Sequence, residues 1–486
     1  MPGIVVNTSV RSGPSTVNQN PTATLFLVGR TERGPEGTAK LVGSLADYEI
    51  IYGDYIASGA VHQQVQTFFE EGGAQVYVSR VVGPSATFGD LDVTGGTAGT
   101  AMTLTAVGQG AWSSNLDAEV VTLGSGFNVR FYLNDALVYS TGEVANTAAA
   151  VQKINSSSVA ANYATAEDGG DTLAVFVKAA FSAGDADEGN ITDGDYTGAL
   201  RTNFTDDLGP GAVAIPHDGS FADVGPIHEA LIEHAAGNNR FALLAGNEDD
   251  TTTEIKAHGS AVTSADNAEY GAMFYPWVKM VNESGTTINM SPEGYVAAKR
   301  AQAHNSIGSW AAYAGSVSES KFITGLYTPI NSETGDDLDD NKINALRVIN
   351  GRVRVYGART LSSDEDNFRF TTSREMLNYV VDRAKTVLED LIFSPIDGRS
   401  SLFSKVEARL VNMLEPIRIA GGLYEAFDST GRRIDYGYSV QVNDAINPLT
   451  QLAGGLVKAK VGIRVSSTSD QIQVDVTKSN LTASVV

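Results

Sequence analysis

The sequence predicts a multi-domain α/β protein with an inserted mostly-β module, an α+β C-terminal domain and extended terminal arms. Three observations carry this. Strand-like and helix-like patterns alternate over residues 21–83 and again over 201–367, as in α/β domains. Between them, residues 84–200 turn rich in Gly, Ala, Thr and Asp, and short β-like runs are separated there by turn residues. Both ends alternate apolar and polar positions with the period of a strand: Ile4, Val6 and Val10 at the start, Ile472, Val474 and Val476 near the finish. A chain of 486 residues, 42% hydrophobic and 19% charged, has material for about three domains, each with its own core.

Residues 1–20 read as an arm, because a polar, Pro-containing tract follows the alternation. In 21–83 the order is strand, turn, helix, strand. The stretch FFEEGGAQVYVSRVVG, residues 68–83, shows what its double glycine does. Val61, Val65, Phe68 and Phe69 recur at i, i+4, i+7 and i+8, which is a helix face; Gly72 then marks the helix C-terminus, and Val76 and Val78 open a strand. A phosphate loop needs the reverse order, because free N–H groups and the positive dipole end lie at a helix N-terminus. Gly72-Gly73 is therefore a chain reversal. In 84–200 the runs AMTLTAV, FNVRFYL and TLAVFV read as strands, and in 201–367 so do GAVAIP, RFALLAG and YGAMFYPW. In 368–486, TTSREML offers Thr372 and Glu375 as a capping box, with Leu377, Val381, Ala384, Leu388 and Leu391 along one helical face. A strand follows in LVKAKVGIRV, where Val457, Ala459, Val461, Ile463 and Val465 alternate with polar or small residues. No fixed-period repeat suggests a solenoid.

Charge narrows the partners. The formal net charge of −23 argues against nucleic acid or an anionic membrane as a direct partner, since both need clustered Lys and Arg. The acidity is uneven: residues 84–200 hold 3 basic and 14 acidic residues, whereas 368–486 hold 14 basic and 13 acidic. Acidic modules suit a solvated outside, and a neutral, strand-rich one suits a crowded interface. With no cysteine, disulfides, thiolate metal sites and thiol nucleophiles are all excluded. The start lacks a secretory signal, and no apolar run is long enough to span a bilayer, so the chain is expected to fold where it is made.

The motifs for chemistry are incomplete. HGSAVTS, residues 258–264, fits the surroundings of the catalytic histidine of subtilisin-like peptidases, but no Gly-Thr-Ser nucleophile motif follows. The nearest candidate, IGSWAA around Ser309, lacks the Thr, and PHDGS at Asp218 lacks the spacing of the aspartate motif. HEALIEH, His228 to His234, puts Ile232 where a zinc helix needs its second ligand and reads as a helix with solvated polar residues. GRTERGPEG carries Pro35-Glu36 in place of the Walker Lys and hydroxyl residue, and DADEGN, 185–190, carries Gly189 where calcium needs an oxygen. No cofactor or metal is expected.

Several segments together resemble the contractile tail sheath proteins of bacteriophages, over nearly the full length with gaps in the inserted module. GRTERGPEGT, VGSLADYEIIYG and FFEEGGAQVYVSRVV look like that family's opening domain; GAWSSNLDAEV and AAAVQKINSSS are similar to its β module. YPWVKM, SPEGYVAAKRAQAHNSIGSWAAYAG and INALRVINGRVRVYGARTL match in family order, and FRFTTSREML through EAFDSTGRRIDYGYSVQVN resembles its C-terminal domain. SVSESKFITGLYTP is only loosely like the pattern there.

The resemblance implies a subtilisin-like middle domain, 201–367, without peptidase activity, which accounts for HGSAV standing without partners. It implies hexameric rings of sheath subunits stacked around an inner tail tube, with baseplate and tail terminator proteins at the ends, in a virion assembled in the bacterial host cytoplasm. Contraction drives the tube through the envelope. Terminal arms in this family add strands to neighbouring C-terminal sheets, a role that Ile4, Val6, Val10, Ile472, Val474 and Val476 suit. The family's C-terminal domain is innermost. In SSLFSKVEARLVNML, Leu402, Val406 and Leu410 share a face, while Lys405 and Arg409, four apart on another, are candidate tube contacts or simply a solvated basic face. The sheath of a bacterial contractile injection or secretion system shares the architecture, and a subtilisin-like serine peptidase is the alternative from another class.

Overall fold

A computed structural model describes residues 20–218, 221, 223–263, 266–282, 285–470, 472 and 474. Its centre is an eight-stranded sheet in the order Arg352–Val355, Ile343–Ile349, Gly271–Tyr275, Phe241–Ala245, Ala212–Ala214, Leu25–Gly29, Val76–Arg80, Ala39–Val42. The six inner strands are parallel, with Leu25 opposite both Val76 and Ala212 and Ala242 opposite Gly271. Antiparallel strands close both edges. Parallel strands joined by helical crossovers are covered on both faces, which is why LFLVG, FALLA and GAMFY are apolar throughout and buried throughout.

Period two divides those strands between two cores. Leu25, Leu27, Val76 and Val78 face helices Val61–Glu70 and Glu293–Ser306, through Val65, Phe68, Tyr295 and Val296. Phe26, Val28, Val213 and Leu244 face helices Asp193–Asn203, Gly225–Gly237 and Thr252–Thr263. The double glycine does end a helix and lead into a strand: Gly72 has φ 107°, and a Cβ on Gly73 would lie 2.4 Å from the Phe68 ring.

The β module has a separate core, from Val93 to Phe181, between a four-stranded and a three-stranded antiparallel sheet. Its two connections run side by side: Gly83 N–H donates to the Ala186 carbonyl at 2.9 Å, and Thr87 and Asp185 exchange two backbone bonds. The boundary at 200 expected from composition runs one helix too far, because Tyr196 and Leu200 of helix Asp193–Asn203 pack into the main core.

The C-terminal region pairs helices Thr371–Leu388 and Ser401–Ile419 over two two-stranded sheets. Four expectations need correction. Thr372 and Glu375 form no capping box: Phe370 is the N-cap, and Glu375 is drawn away by a buried arginine. Val381 is exposed, because the upper part of the helix buries Met376 and Val380 instead. The strand expected over 457–465 is regular only at Lys460–Ile463, with one further bridge at Val465. His228 and His234 are buried: His228 Nε2 lies 2.9 Å from the Ala245 carbonyl while its Nδ1 has no hydrogen-bond partner among the described residues, and His234 Nε2 lies 2.8 Å from Arg240.

Candidate assembly surfaces

The first described residues are fixed to the centre of the molecule. Asn20 caps the 3-10 turn Pro21–Ala23, its Oδ1 accepting from Thr22, while its Nδ2 donates to the His304 carbonyl at 3.1 Å and to Ser309 Oγ at 2.9 Å. Thr22 Oγ1 meets His304 Nδ1 at 2.9 Å and Ser309 Oγ at 2.8 Å. Arg300 donates to the Thr22 carbonyl and, with Nε and Nη2, forms a fork on the two Glu375 oxygens at 2.6 and 2.5 Å. The side chains of this pair are 2% and 0% exposed. Burial pushes the Glu375 carboxyl up despite the opposing Arg300 charge, and burial with the same charge holds His304 well below the usual histidine range.

The other end is held differently. Strands Tyr438–Gln441 and Lys460–Ile463 pair antiparallel, turning Tyr438, Val440, Val461 and Ile463 onto the helices. With two strands only, each keeps one edge without a described ladder partner, the geometry that strand addition uses. Ser466 is still bound to the chain, N–H to the Gly422 carbonyl and Oγ to that of Gly421. Beyond it, Thr468 Oγ1 touches Thr372 Oγ1 at 3.1 Å and Arg369 Nη2 donates to Asp470 at 3.0 Å. Ile472 and Val474 are then 83% and 74% exposed. Ile4, Val6, Val10 and Val476 lie outside the described residues.

Leu402, Val406 and Leu410 are buried as one helical face. Lys405 is exposed and has no ion pair among the described residues. Arg409 differs from it: its guanidinium turns back onto the Asp390 carboxylate and the Val387 carbonyl, tying the two helices together. A pair of like cations four apart therefore does not act as one patch. Spacing alone could not reveal this, because Asp390 sits in the 3-10 turn Glu389–Leu391 that follows the other helix. Ile392, Phe393 and Leu449 in this region are exposed apolar residues.

His258 lies in helix Thr252–Thr263, and its Nε2 is 3.3 Å from Asp250, a carboxylate upstream of it that no sequence motif marks. The Asp250 hydrogen bond raises the His258 pKa against the effect of burial, and the Asp250 carboxyl is lowered in turn. The other candidate triad members are engaged elsewhere: Ser309 with Asn20 and Thr22, Asp218 with Arg30 at 2.9 Å and Tyr196 at 2.8 Å. No Ser or Thr hydroxyl among the described residues is bonded to His258, and none of their His, Asp and Glu side chains form a group of three able to hold a metal. No helix in the described residues is long and apolar enough to cross a membrane.

Solved structures share this doubly covered parallel sheet with its β module and C-terminal helix pair. The sheath of an extracellular contractile injection system (PVC) in its contracted state is similar over 99% of this chain and 98% of that one, with TM-score 0.54 and 18% identity. The helical sheath of the anti-feeding prophage in its contracted state is similar over 98% and 99%, with TM-score 0.54 and 15% identity. The sheath tail protein from Listeria innocua is similar over 89% and 91%, with TM-score 0.59 and 16% identity. No family model and no curated protein sequence matches the chain.

Proposed function

We propose that this chain is the structural subunit of a contractile tail sheath, polymerising as stacked hexameric rings around an inner tube and contracting to drive that tube through a bacterial envelope. One observation carries the reading: the likeness to contracted sheaths runs end to end in both chains, β module and C-terminal region included. A bacteriophage tail is the first setting, with the particle assembled in the host cytoplasm and capped by baseplate and terminator proteins. The sheath of an injection system is the second, favoured by the likeness to the PVC and anti-feeding prophage sheaths. The subtilisin-like description of the α/β core is supported by its six parallel strands and the His258–Asp250 pair, with no catalytic role for that pair.

In this reading the two alternating ends link neighbours through strand addition at the Tyr438–Gln441 and Lys460–Ile463 edges. Head-to-tail contacts of that kind, when they do not close, generate helical stacks. Lys405 is the cation free to meet an acidic tube surface, while Arg409 has a structural task. The test is light scattering of the protein with its tube partner. Wild type should form large polymers; Lys405→Glu should polymerise alone yet lose the tube, and Arg409→Glu should first lose about 1 kcal/mol of stability by opposing Asp390. A monodisperse monomer with the tube present contradicts the reading, and unchanged tube binding by Lys405→Glu removes the assigned contact.

A further inference from the structure

Both described ends of the chain converge on the first turn of helix Thr371–Leu388. From one side Glu375 receives the Arg300 fork, which also holds the Thr22 carbonyl. From the other side Thr372 touches Thr468, and the neighbouring Arg369 holds Asp470. The two attachments are unequal. Residues 20–25 are fixed by buried hydrogen bonds to His304 and Ser309 and by backbone bonds, Leu25 N–H to the Gln75 carbonyl and Ala212 N–H to that of Thr24. Residues 467–470 make no backbone hydrogen bond among the described residues. They are held by one hydroxyl contact and by an ion pair whose side chains are 42% and 46% exposed. An exposed pair of this kind is weak and screened by salt, whereas a buried, bidentate one is neither.

We propose that the inequality is a mechanical device: segment 20–25 is the fixed joint between subunit body and N-terminal arm, and segment 467–470 is a latch that leaves helix Thr371–Leu388 when subunits rearrange. The proposal rests on the sheath reading. If a linking strand is to keep its partner while two subunit bodies rotate, some part of its root must give. The weaker root gives first, and Ser466, bound at both N–H and Oγ, is where opening stops. An open, charged groove beside the root, lined by Asp336, Asp339, Arg347, Arg359 and Arg369, leaves room for 468–470 to move.

The absence of cysteine makes the test clean, because any thiol chemistry belongs to the residues introduced. Thr372→Cys/Thr468→Cys would lock the latch, the hydroxyls there being 3.1 Å apart, and Thr22→Cys/Ser309→Cys would lock the fixed joint, at 2.8 Å. Each is assembled with tube while reduced, then oxidised and exposed to the contraction trigger, with wild type alongside. The latch-locked sheath should stay long and shorten after a reductant is added; the joint-locked sheath should shorten like wild type. Normal shortening of the latch-locked sheath overturns the proposal, as does equal arrest of both. If wild type and reduced variants form no sheath, the sheath reading itself has failed, and the latch is judged on the unassembled full chain. There the disulfide at 372/468 should form several-fold more slowly in high salt, or with Asp470→Asn added, while that at 22/309 is unaffected. Salt-independent formation at 372/468 overturns the latch.

Discussion

Arg300 and Glu375 stand 75 residues apart in sequence, and their contact is buried and bidentate. Removing one partner of a buried, hydrogen-bonded pair leaves the other charged and unsolvated, so Glu375→Ala should cost about 3–5 kcal/mol in denaturant unfolding. A loss under about 1 kcal/mol would show that water reaches Arg300. Buried histidines set a pH dependence. Burial lowers His228 to about 4 and His234 to about 3, and His304 is also held well down. Between those values and 6.5 the unfolded chain binds protons that the native chain does not, so stability falls as pH drops from 7 towards 4. Glu293 works in the other sense: burial raises it to about 7, so the native chain takes up a proton at a pH where the unfolded carboxyl stays ionised. His258, raised by Asp250, adds to Glu293 in that sense. Melting temperature should therefore fall on acidification, and more steeply in Glu293→Gln than in wild type; parallel curves would contradict the assignment. The sequence showed these ionisable residues without their surroundings. His228 and His234 looked like solvated groups on a helix, because a period-3.6 pattern does not report that the polar positions face Ala245 and Arg240.

At the scale of elements, what was legible is what local physics decides. The helix, double-glycine, strand order of residues 61–80 could be read because periodicity and a positive-φ turn are local properties. The strands of the sheet announced themselves as short, wholly apolar runs. The capping box was misread for the opposite reason: Glu375 has a stronger partner in the distant Arg300, and tertiary pairing overrides a local signature. Composition also placed helix Asp193–Asn203 in the acidic module, although Tyr196 and Leu200 face the main core. The module's separate core and adjacent connections predict that joining Gly83 to Ala186 removes it without unfolding the rest. The expected cost is about 1 kcal/mol, from losing the stacking of Arg33 over Trp112 and Tyr163 at 5.8 and 5.9 Å. Urea unfolding of the shortened chain checks this, and a chain that no longer folds would make the module part of the core.

For the whole molecule, the proposed function requires that a rigid α/β body carry strand-forming ends into its neighbours and that contraction be a change in how bodies stack. The body is held on both faces of one sheet, so it should move as a unit. The alternation at both ends is a property of the sequence, and Ile4, Val6, Val10 and Val476 lie outside the described residues; a strand that paired with another chain would leave no partner in its own sequence. Electron microscopy of the protein assembled with its tube, before and after the contraction trigger, measures this directly. The account predicts helical stacks of sixfold rings that become shorter and wider while the fold of each subunit body is unchanged. Single subunits bound to the tube without contacting one another, or stacks whose length never changes, would contradict it.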